Sequence, residues 1–194
     1  LTLPAYTAIE ELTAFRLGFN PRLLVWSGGS DPITVSRLLK TFSGDQLVGS
    51  GLLDGAITDS YLPSPSDQTN PWVRLFRSIN ATYDPQTTFD SNVEYGMASA
   101  YTFVQALRAA GPNLTRRGLI RAIDRRGASW LGPGLVPLQY SPTDHAGFRG
   151  AQLGQIQNGK LVLFGQPLTT TDRPGSPITV YGGGEAVPPT NGIP

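Results

Sequence analysis

The 194-residue sequence contains no cysteine, and His145 is its only histidine. Without cysteine the chain can form neither a disulfide bond nor a thiolate metal site. A single histidine also excludes metal sites built from several imidazole ligands. The sequence therefore predicts no metal site, and the lack of cysteine is compatible with an exported bacterial protein.

Charged residues are also scarce, at 15% of the sequence, and the formal net charge is only +1. A net charge this small argues against a broad positively charged surface that would bind nucleic acid or anionic lipid. No apolar run approaches the ~18–20 residues that span a bilayer, so we expect no membrane span in this chain. The 39% of apolar residues, 23 glycines and 17 prolines are typical of a loop-rich globular protein.

A helix pair is the clearest local feature of the sequence. Ser91 is followed three residues later by Glu94, the spacing of a capping box that begins a helix. Apolar residues then recur at steps of three and four, which predicts one buried helix face made of Val93, Met97, Ala100, Val104 and Leu107.

Gly111 and Pro112 predict the end of this helix, because proline cannot continue the hydrogen-bond ladder. Thr115 is then a cap for a shorter helix that ends at Gly127. The second helix carries five basic residues, which we interpret as a solvated face because the net charge is near zero: Arg116, Arg117, Arg121, Arg125 and Arg126.

The start of the chain shows the alternation of an α/β protein. Residues 1–3 resemble the end of a strand, and Pro4 is suited to the first turn of a helix that ends at Gly18. The apolar residues 22–26 then predict a buried strand. The glycine-rich loop 27–31 follows, and Asp31 is placed to cap the next helix. Ligands of open α/β sheets bind beyond the carboxyl ends of strands, which is where this loop lies.

Further along, residues 52–61 and 135–138 predict strands, and Asn70 caps a helix. Asn158 and Gly159 separate two strand-like runs and predict a type I′ hairpin, since both residues tolerate positive φ. From residue 169 the sequence is rich in proline, glycine and threonine, which predicts a mobile tail.

Two short patterns imitate catalytic or cofactor motifs. Residues 154–160 have the G-x4-G-K spacing of a phosphate loop, but Leu161 replaces the required Ser or Thr and a hairpin replaces the helix. We therefore expect no nucleotide and no other cofactor. His145 lacks a neighbouring nucleophile motif, so we interpret it as a residue that closes a turn by hydrogen bonding to backbone.

Residues 94–98 (EYGMA), 106–111 (ALRAAG) and 113–119 (NLTRRGL) resemble the type I periplasmic solute-binding proteins. Within that family the sequence is similar to the receptors of branched-chain amino acid (leucine, isoleucine, valine) ABC transporters. The resemblance implies an α/β fold of two lobes, each a parallel sheet flanked by helices, and it covers only the second half of the family pattern.

The same resemblance assigns segments to the lobes. Residues 1–48 would belong to the second lobe, residues 49–133 to the first, and residues 134–172 to a return to the second lobe with a closing hairpin; residues 173–194 form the tail. We expect the chain to begin mid-fold, with the N-terminal half of the family pattern missing.

In the family, two such segments hold the solute, and here they are residues 3–7 and 27–31. The resemblance therefore implies a ligand site made of Tyr6, Ser27, Gly28, Gly29, Ser30 and Asp31. Amino acid receptors of this branch present a glutamate in the second loop to the ligand ammonium, whereas Asp31 is the only acid of this loop. Amides, short carboxylates and aromatic acids therefore remain alternatives to an amino acid.

The function implied is capture of a small polar solute in an inter-lobe cleft, outside the cytoplasm, for delivery to ABC permease subunits. Such a receptor is a binder, and no catalytic residues are implied. Two alternatives remain: a ligand-sensing domain of a regulator with the same fold, and a hydrolase whose serine, His145 and aspartate are dispersed in the sequence.

Overall fold

The computed structural model describes residues 3–47, 50–171 and 173–194. The chain forms two compact units. The first comprises Leu1–Ser60, Ser64–Ser66 and Gln152–Gly165, and the second comprises Tyr61–Pro63, Asp67–Ala151 and Gln166–Pro194. The crossover predicted at residues 48 and 49, and the strand end predicted at residues 1 and 2, lie outside the described residues. The assignment of segments to two lobes stays a prediction.

Two helices pack together in the first unit. Helix α1 (Pro4–Arg16) begins at a proline, whose missing N–H costs nothing in the first turn. Helix α2 (Pro32–Phe42) is capped by Asp31, whose carboxylate accepts a hydrogen bond of 2.7 Å from the Thr34 N–H. Both starts are as predicted. The core of this unit is made of Ala8, Leu12, Val35, Leu39, Leu53, Ala56 and Ile156.

An antiparallel sheet completes the first unit. Strand β1 (Ile57–Ser60) pairs with residues 152–155 of β4 (Gly150–Gln157), and β4 pairs with β5 (Lys160–Leu163). The predicted type I′ turn between β4 and β5 is confirmed, because Asn158 and Gly159 have φ of 50° and 69°.

The prediction of a buried strand at residues 22–26 is wrong. Only Leu24 forms a parallel bridge, with Ile57, and the segment has no other strand pairing among the described residues. Leu24 is 81% exposed while its neighbour Val25 is buried. An extended segment places successive side chains on opposite faces, so a continuous apolar run is buried throughout only where both faces are covered. The single bridge is also the only parallel contact between the described strand segments, whose ladders are otherwise antiparallel.

Three helices form most of the second unit: α3 (Pro71–Tyr83), α4 (Ser91–Ala110) and α5 (Arg116–Arg126). The predicted caps of α3 and α5 are confirmed. The Asn70 side chain accepts from the backbone N–H groups of Trp72 and Val73, and Thr115 Oγ1 accepts from that of Gly118. The core of this unit is made of Leu62, Trp72, Val73, Phe76, Phe89, Ala98 and Tyr101.

The capping box predicted at Ser91 is wrong by one residue. Asp90 caps α4, because its carboxylate accepts from the N–H groups of Asn92 and Val93 at 3.0 and 2.9 Å. Ser91 is instead the first residue of the helix, and Glu94 is 1% exposed. Aspartate caps as well as serine does, so the two neighbouring residues were equivalent candidates by sequence.

The predicted buried face of α4 is also displaced around the helix. The buried residues are Glu94, Ala98, Tyr101 and Ala106, whereas Val104 is 40% exposed. Tyr101 decides the orientation, because its ring packs edge-on against Trp72 with centroids 5.0 Å apart. Val93 and Met97 of the predicted face are only partly buried, and both pack against this core. The predicted end of the helix is confirmed at Gly111, which has φ of 79°.

Residues 135–138 are buried but form no strand, which contradicts the sequence-based expectation. Leu135, Val136 and Leu138 are each at most 4% exposed. Pro137 cannot donate to a strand ladder and interrupts the segment. The chain pairs only afterwards, in a hairpin of β2 (Gln139–Ser141) and β3 (Asp144–Gly147).

The tail is attached to the second unit, so the prediction of a mobile tail is wrong. Strand β6 (Leu168–Thr169) pairs with the first two residues of β4 and with β7 (Thr179–Val180). Beyond β7, the Ala186 carbonyl accepts a hydrogen bond of 2.7 Å from the indole Nε1–H of Trp72. The carboxylate of Glu185 accepts from the amide of Asn70 at 3.1 Å.

The hairpin turn generates a first prediction. Gly159→Ala should destabilise the first unit by about 1 kcal/mol, because alanine resists positive φ. Gly51→Ala is the matched control, since no atom lies within 4 Å of its added methyl group and its φ is not positive. Urea unfolding of both variants measures the difference. Equal stability would contradict the role assigned to the turn.

Buried Glu11 of α1 generates a second prediction. Desolvation, with a smaller contribution from Glu10, raises the pKa of Glu11 above its ordinary value of 4.5. The folded state then binds this proton more tightly than the unfolded state does, so stability falls as pH rises above 4.5 towards the folded-state pKa. Glu11→Gln should stabilise the protein at pH 7.5 and lose this advantage at pH 4.

The measurement is urea unfolding at both pH values. Glu10→Gln is the control, because Glu10 is exposed and its removal relieves only the weaker, coulombic contribution. An equal gain for both variants at pH 7.5, or a gain for Glu11→Gln that persists at pH 4, would contradict burial as the cause.

Candidate functional site

The loop at residues 27–31 is anchored to β1 by one carboxylate. Its first three residues form a short 3₁₀ turn, Ser27–Gly29, in which the Gly29 N–H donates to the Trp26 carbonyl at 2.9 Å. Asp59 of β1 accepts from both donors of Ser27: its Oδ1 lies 2.9 Å from the backbone nitrogen, and its Oδ2 lies 3.1 Å from Oγ. The loop is therefore held from the neighbouring strand.

A second hydroxyl of the loop is used inside the protein. Ser30 is 7% exposed, and its Oγ accepts a hydrogen bond of 2.8 Å from the Oγ1–H of Thr58, which is 4% exposed. Ser30 Oγ also lies 3.4 Å from the Ser27 carbonyl, to which it donates. Both contacts hold the loop in place. They also use the proton and one acceptor position of the Ser30 hydroxyl, so fewer hydrogen bonds remain for a solute.

Asp31 has the local role that its position predicts. It is 5% exposed and caps α2 through Thr34. A carboxylate held in this way stabilises the positive end of the helix and is oriented away from the role of an accessible counter-ion.

The exposed side of the loop consists of different residues. Tyr6 of α1 is 60% exposed and Trp26 is 43% exposed. Gly28 is exposed as well, and a Cβ atom there would lie 2.4 Å from the Trp26 ring, so the ring packs closely against the glycine backbone. Because α1 lies against the turn Ser27–Gly29, the structure brings the two predicted ligand segments together in one unit. That these residues bind a solute stays a prediction.

Sequence reasoning missed Asp59. The sequence places Asp59 within the predicted strand 52–61 and indicates no role for its side chain. The signal was available, because Asp59 lies near the carboxyl end of a strand, and ligand-facing residues of α/β proteins concentrate there. Its contact with Ser27 depends on pairing between distant segments, which no local pattern shows.

Two cavities lie elsewhere, in the second unit, and none of the predicted ligand residues lines them. One measures about 360 Å³ and has aromatic walls that include Phe103, Trp130 and Phe148. The other measures about 570 Å³ and includes Tyr140 and Arg149. Burial raises the pKa of Tyr140, which lines both cavities, so its hydroxyl remains a donor at neutral pH.

The interpretation of His145 as a partner of backbone groups is wrong. Its Nε2 lies 2.9 Å from Oδ1 of Asp124 on α5, so the side chain links β3 to that helix. His145 is 61% exposed in its side chain and Asp124 is 20% exposed. The five basic residues of α5 are exposed, as predicted.

Within residues 3–47, 50–171 and 173–194, no three acidic or histidine side chains are grouped so that they would hold a metal ion. In the same ranges, no helix combines the length and apolar character that crossing a membrane requires.

Comparison with solved structures shows that the chain has part of the fold of the type I periplasmic binding proteins. A branched-chain amino acid ABC transporter protein from Thermus thermophilus, solved with bound valine, superposes with a TM-score of 0.68 at 20% identity. The match covers 84% of this chain and 43% of that protein. This chain therefore spans less than half the length of that protein.

Two further structures agree. A possible leucine/isoleucine/valine-binding protein from Rhodopirellula baltica has a TM-score of 0.67 at 21% identity, covering 82% of this chain and 40% of that one. A fatty acid ABC transporter substrate-binding protein from Thermomonospora curvata has a TM-score of 0.65 at 22% identity, covering 87% and 42%. No protein-family model and no curated protein sequence matches the chain. The resemblance seen in the sequence is thus confirmed at the level of the fold.

The buried Ser30–Thr58 contact generates a third prediction. Thr58→Val keeps the shape of the side chain but removes the donor, so it should destabilise the first unit by about 1–2 kcal/mol. Thr41→Val is the control, because that hydroxyl is exposed and bonds only within its own helix, to the Arg37 carbonyl. Thermal or urea unfolding distinguishes the two. A loss no larger than that of the control would show that the contact contributes little.

Proposed function

We propose that this chain is part of an extracytoplasmic solute-binding protein that delivers a small polar solute to an ABC permease. The observation that carries the proposal is the shared fold, which extends over 84% of the chain at a TM-score of 0.68. The structures that share it are binding components of transporters, which supports a role in binding without catalysis. A location in the periplasm or at the cell surface belongs to the same proposal.

The solute would contact the exposed side of residues 27–31 together with Tyr6. Support comes from the geometry of the first unit, where the loop enters the N-terminus of α2 and lies beside α1. Backbone N–H groups at such a position attract carboxylates or other anionic groups. Tyr6 and Trp26 add aromatic surface, and the Trp26 ring packs closely against Gly28. Binding within an inter-lobe cleft remains part of the prediction.

Two solute classes follow from the neighbours, an amino acid such as valine and a fatty acid. Both carry a carboxylate, and they differ in the ammonium group and in the length of the apolar part. The fold is compatible with each. A regulator with the same fold would bind the same solutes, so the partner protein distinguishes a regulator from a transport receptor. Stimulation of the ATPase activity of a co-encoded permease would favour transport.

A fourth prediction tests the site with a panel of amino acids, short carboxylates and fatty acids, using isothermal titration calorimetry. At least one probe should bind, and Tyr6→Ala should weaken that binding about fivefold or more, since an aromatic contact contributes about 0.5–1.5 kcal/mol beyond the area it buries.

Tyr83→Ala is the matched control, because Tyr83 is also a helical tyrosine and is 82% exposed, but in the second unit. It should bind like the parent. Equal affinities for all three proteins would remove Tyr6 from the site. Failure of every probe to bind to the protein of which this chain is part would contradict the proposed function itself.

A further inference from the structure

The cavity of about 360 Å³ in the second unit, which we call the aromatic cavity, lies between α4, α5 and the β2–β3 hairpin. Among the described residues that line it, none carries a charge. Much of the wall is aromatic and consists of Tyr95, Phe103, Trp130, Tyr140 and Phe148. None of the residues predicted to hold the solute lines this cavity, so a ligand here would have a site of its own.

Side-chain hydrogen bonds connect the walls of the aromatic cavity. His145 Nε2 lies 2.9 Å from Asp124 Oδ1, which links β3 to α5. Gln105 of α4 exchanges two hydrogen bonds with the Leu131 backbone: its Nε2 donates to the carbonyl at 2.8 Å, and its Oε1 accepts from the N–H at 3.1 Å. Leu131 adjoins Trp130, so these two bonds hold the indole wall next to α4. The cavity is therefore formed without a ligand, as small-molecule sites usually are.

Tyr140 has a fixed position in the wall. A Cβ atom at Gly127 would lie 2.7 Å from Tyr140 Cβ, and one at Gly147 would lie 2.7 Å from the Tyr140 hydroxyl oxygen. The side chain thus packs closely against two glycine backbones, and its ring centroid is 6.4 Å from that of Trp130. Burial, with a smaller contribution from Tyr95, raises the pKa of Tyr140. The hydroxyl therefore stays protonated at neutral pH and can donate a hydrogen bond.

The lining limits the charge and the shape of a ligand. Uncharged walls cannot compensate an ion for its lost hydration, so a neutral molecule is favoured. Aromatic walls favour a planar ring, and Phe103 is 52% exposed, so a ring stacked on it would cover apolar surface. An apolar cavity of about 150 Å³ is large enough for benzene. The aromatic cavity, at about 360 Å³, therefore has room for two fused rings.

We propose that the aromatic cavity is a second ligand site, which takes a small uncharged molecule with one or two planar rings and one polar group. The rings would stack against Phe103 and Trp130, and the Tyr140 hydroxyl would donate a hydrogen bond to the polar group. The proposal depends on this cavity alone and not on the proposed solute site at residues 27–31.

The test uses three probes with the same naphthalene ring system, titrated by calorimetry into the protein of which this chain is part. At neutral pH, 2-naphthylmethanol is uncharged, 2-naphthoate is an anion and 2-naphthylmethylamine is a cation. The alcohol should bind, and Phe103→Ala should weaken its binding about fivefold or more, because a wall ring is lost. Tyr140→Phe keeps the ring and should weaken it about twofold to tenfold through loss of the hydroxyl. Neither variant should alter the binding of the charged probes.

Phe15→Ala is the matched control. Phe15 of α1 is also a helical phenylalanine and is 53% exposed, but it lies in the first unit. Because it makes no contact with the cavity, its loss should change the affinity for the alcohol by less than about twofold. Phe103 and Phe15 are similarly exposed, so a general loss of exposed aromatic surface affects both variants alike.

Any of four outcomes would overturn the inference. The aromatic cavity is not a site for neutral ligands if the alcohol does not bind, or if Phe103→Ala weakens a charged probe as much as the alcohol. If Phe15→Ala weakens the alcohol as much as Phe103→Ala does, the probe only adheres to exposed aromatic surface. If Tyr6→Ala weakens the alcohol and the two cavity variants do not, the probe occupies the loop at residues 27–31. The solute panel is measured separately, so these results and the proposed function are judged independently.

Discussion

The pairing of β1 with β4 is the interaction on which the first unit depends. It joins residues 57–60 to residues 152–155, which lie far apart in the sequence, and its closure requires much chain entropy to be lost. The core offsets that cost: Leu53, Ala56 and Ile156 pack with the helices α1 and α2. Once β1 is in place, its side chains Thr58 and Asp59 reach Ser30 and Ser27. The loop is thus ordered by a strand as well as by its own residues.

Features encoded by a few adjacent residues could be predicted from the sequence. Asp31, Asn70 and Thr115 each cap the helix that follows, because a short acceptor side chain next to free N–H groups is a local condition. The Asn158–Gly159 turn is equally local, since it depends on which residues tolerate positive φ. Where two neighbouring residues satisfied the same condition, as Asp90 and Ser91 do, the pattern alone could not choose between them.

Features that depend on distant partners could not be predicted. The buried face of α4 includes the contact of Tyr101 with Trp72, and the contacts of the tail include the hydrogen bond from Trp72 to Ala186. Composition shows that the sequence from residue 169 is rich in proline, glycine and threonine. Composition does not show that a backbone carbonyl of such a segment can accept the hydrogen bond of a buried indole N–H. That N–H needs an acceptor and not an apolar partner.

The candidate site shows the same division between local and distant information. The position of residues 27–31 and the cap at Asp31 follow from sequence, but exposure does not: Ser30 is buried against Thr58, while Tyr6 and Trp26 remain exposed. Within the loop the only acid is Asp31, and its carboxylate is buried and caps α2. The loop alone therefore presents no accessible carboxylate. Strand pairing brings a second carboxylate to the same place, since Asp59 contacts Ser27 across β1. The charges around this loop must therefore be counted together with those of the strand beside it. Asp31 and Asp59 are both aspartates, but the first caps a helix and the second binds Ser27.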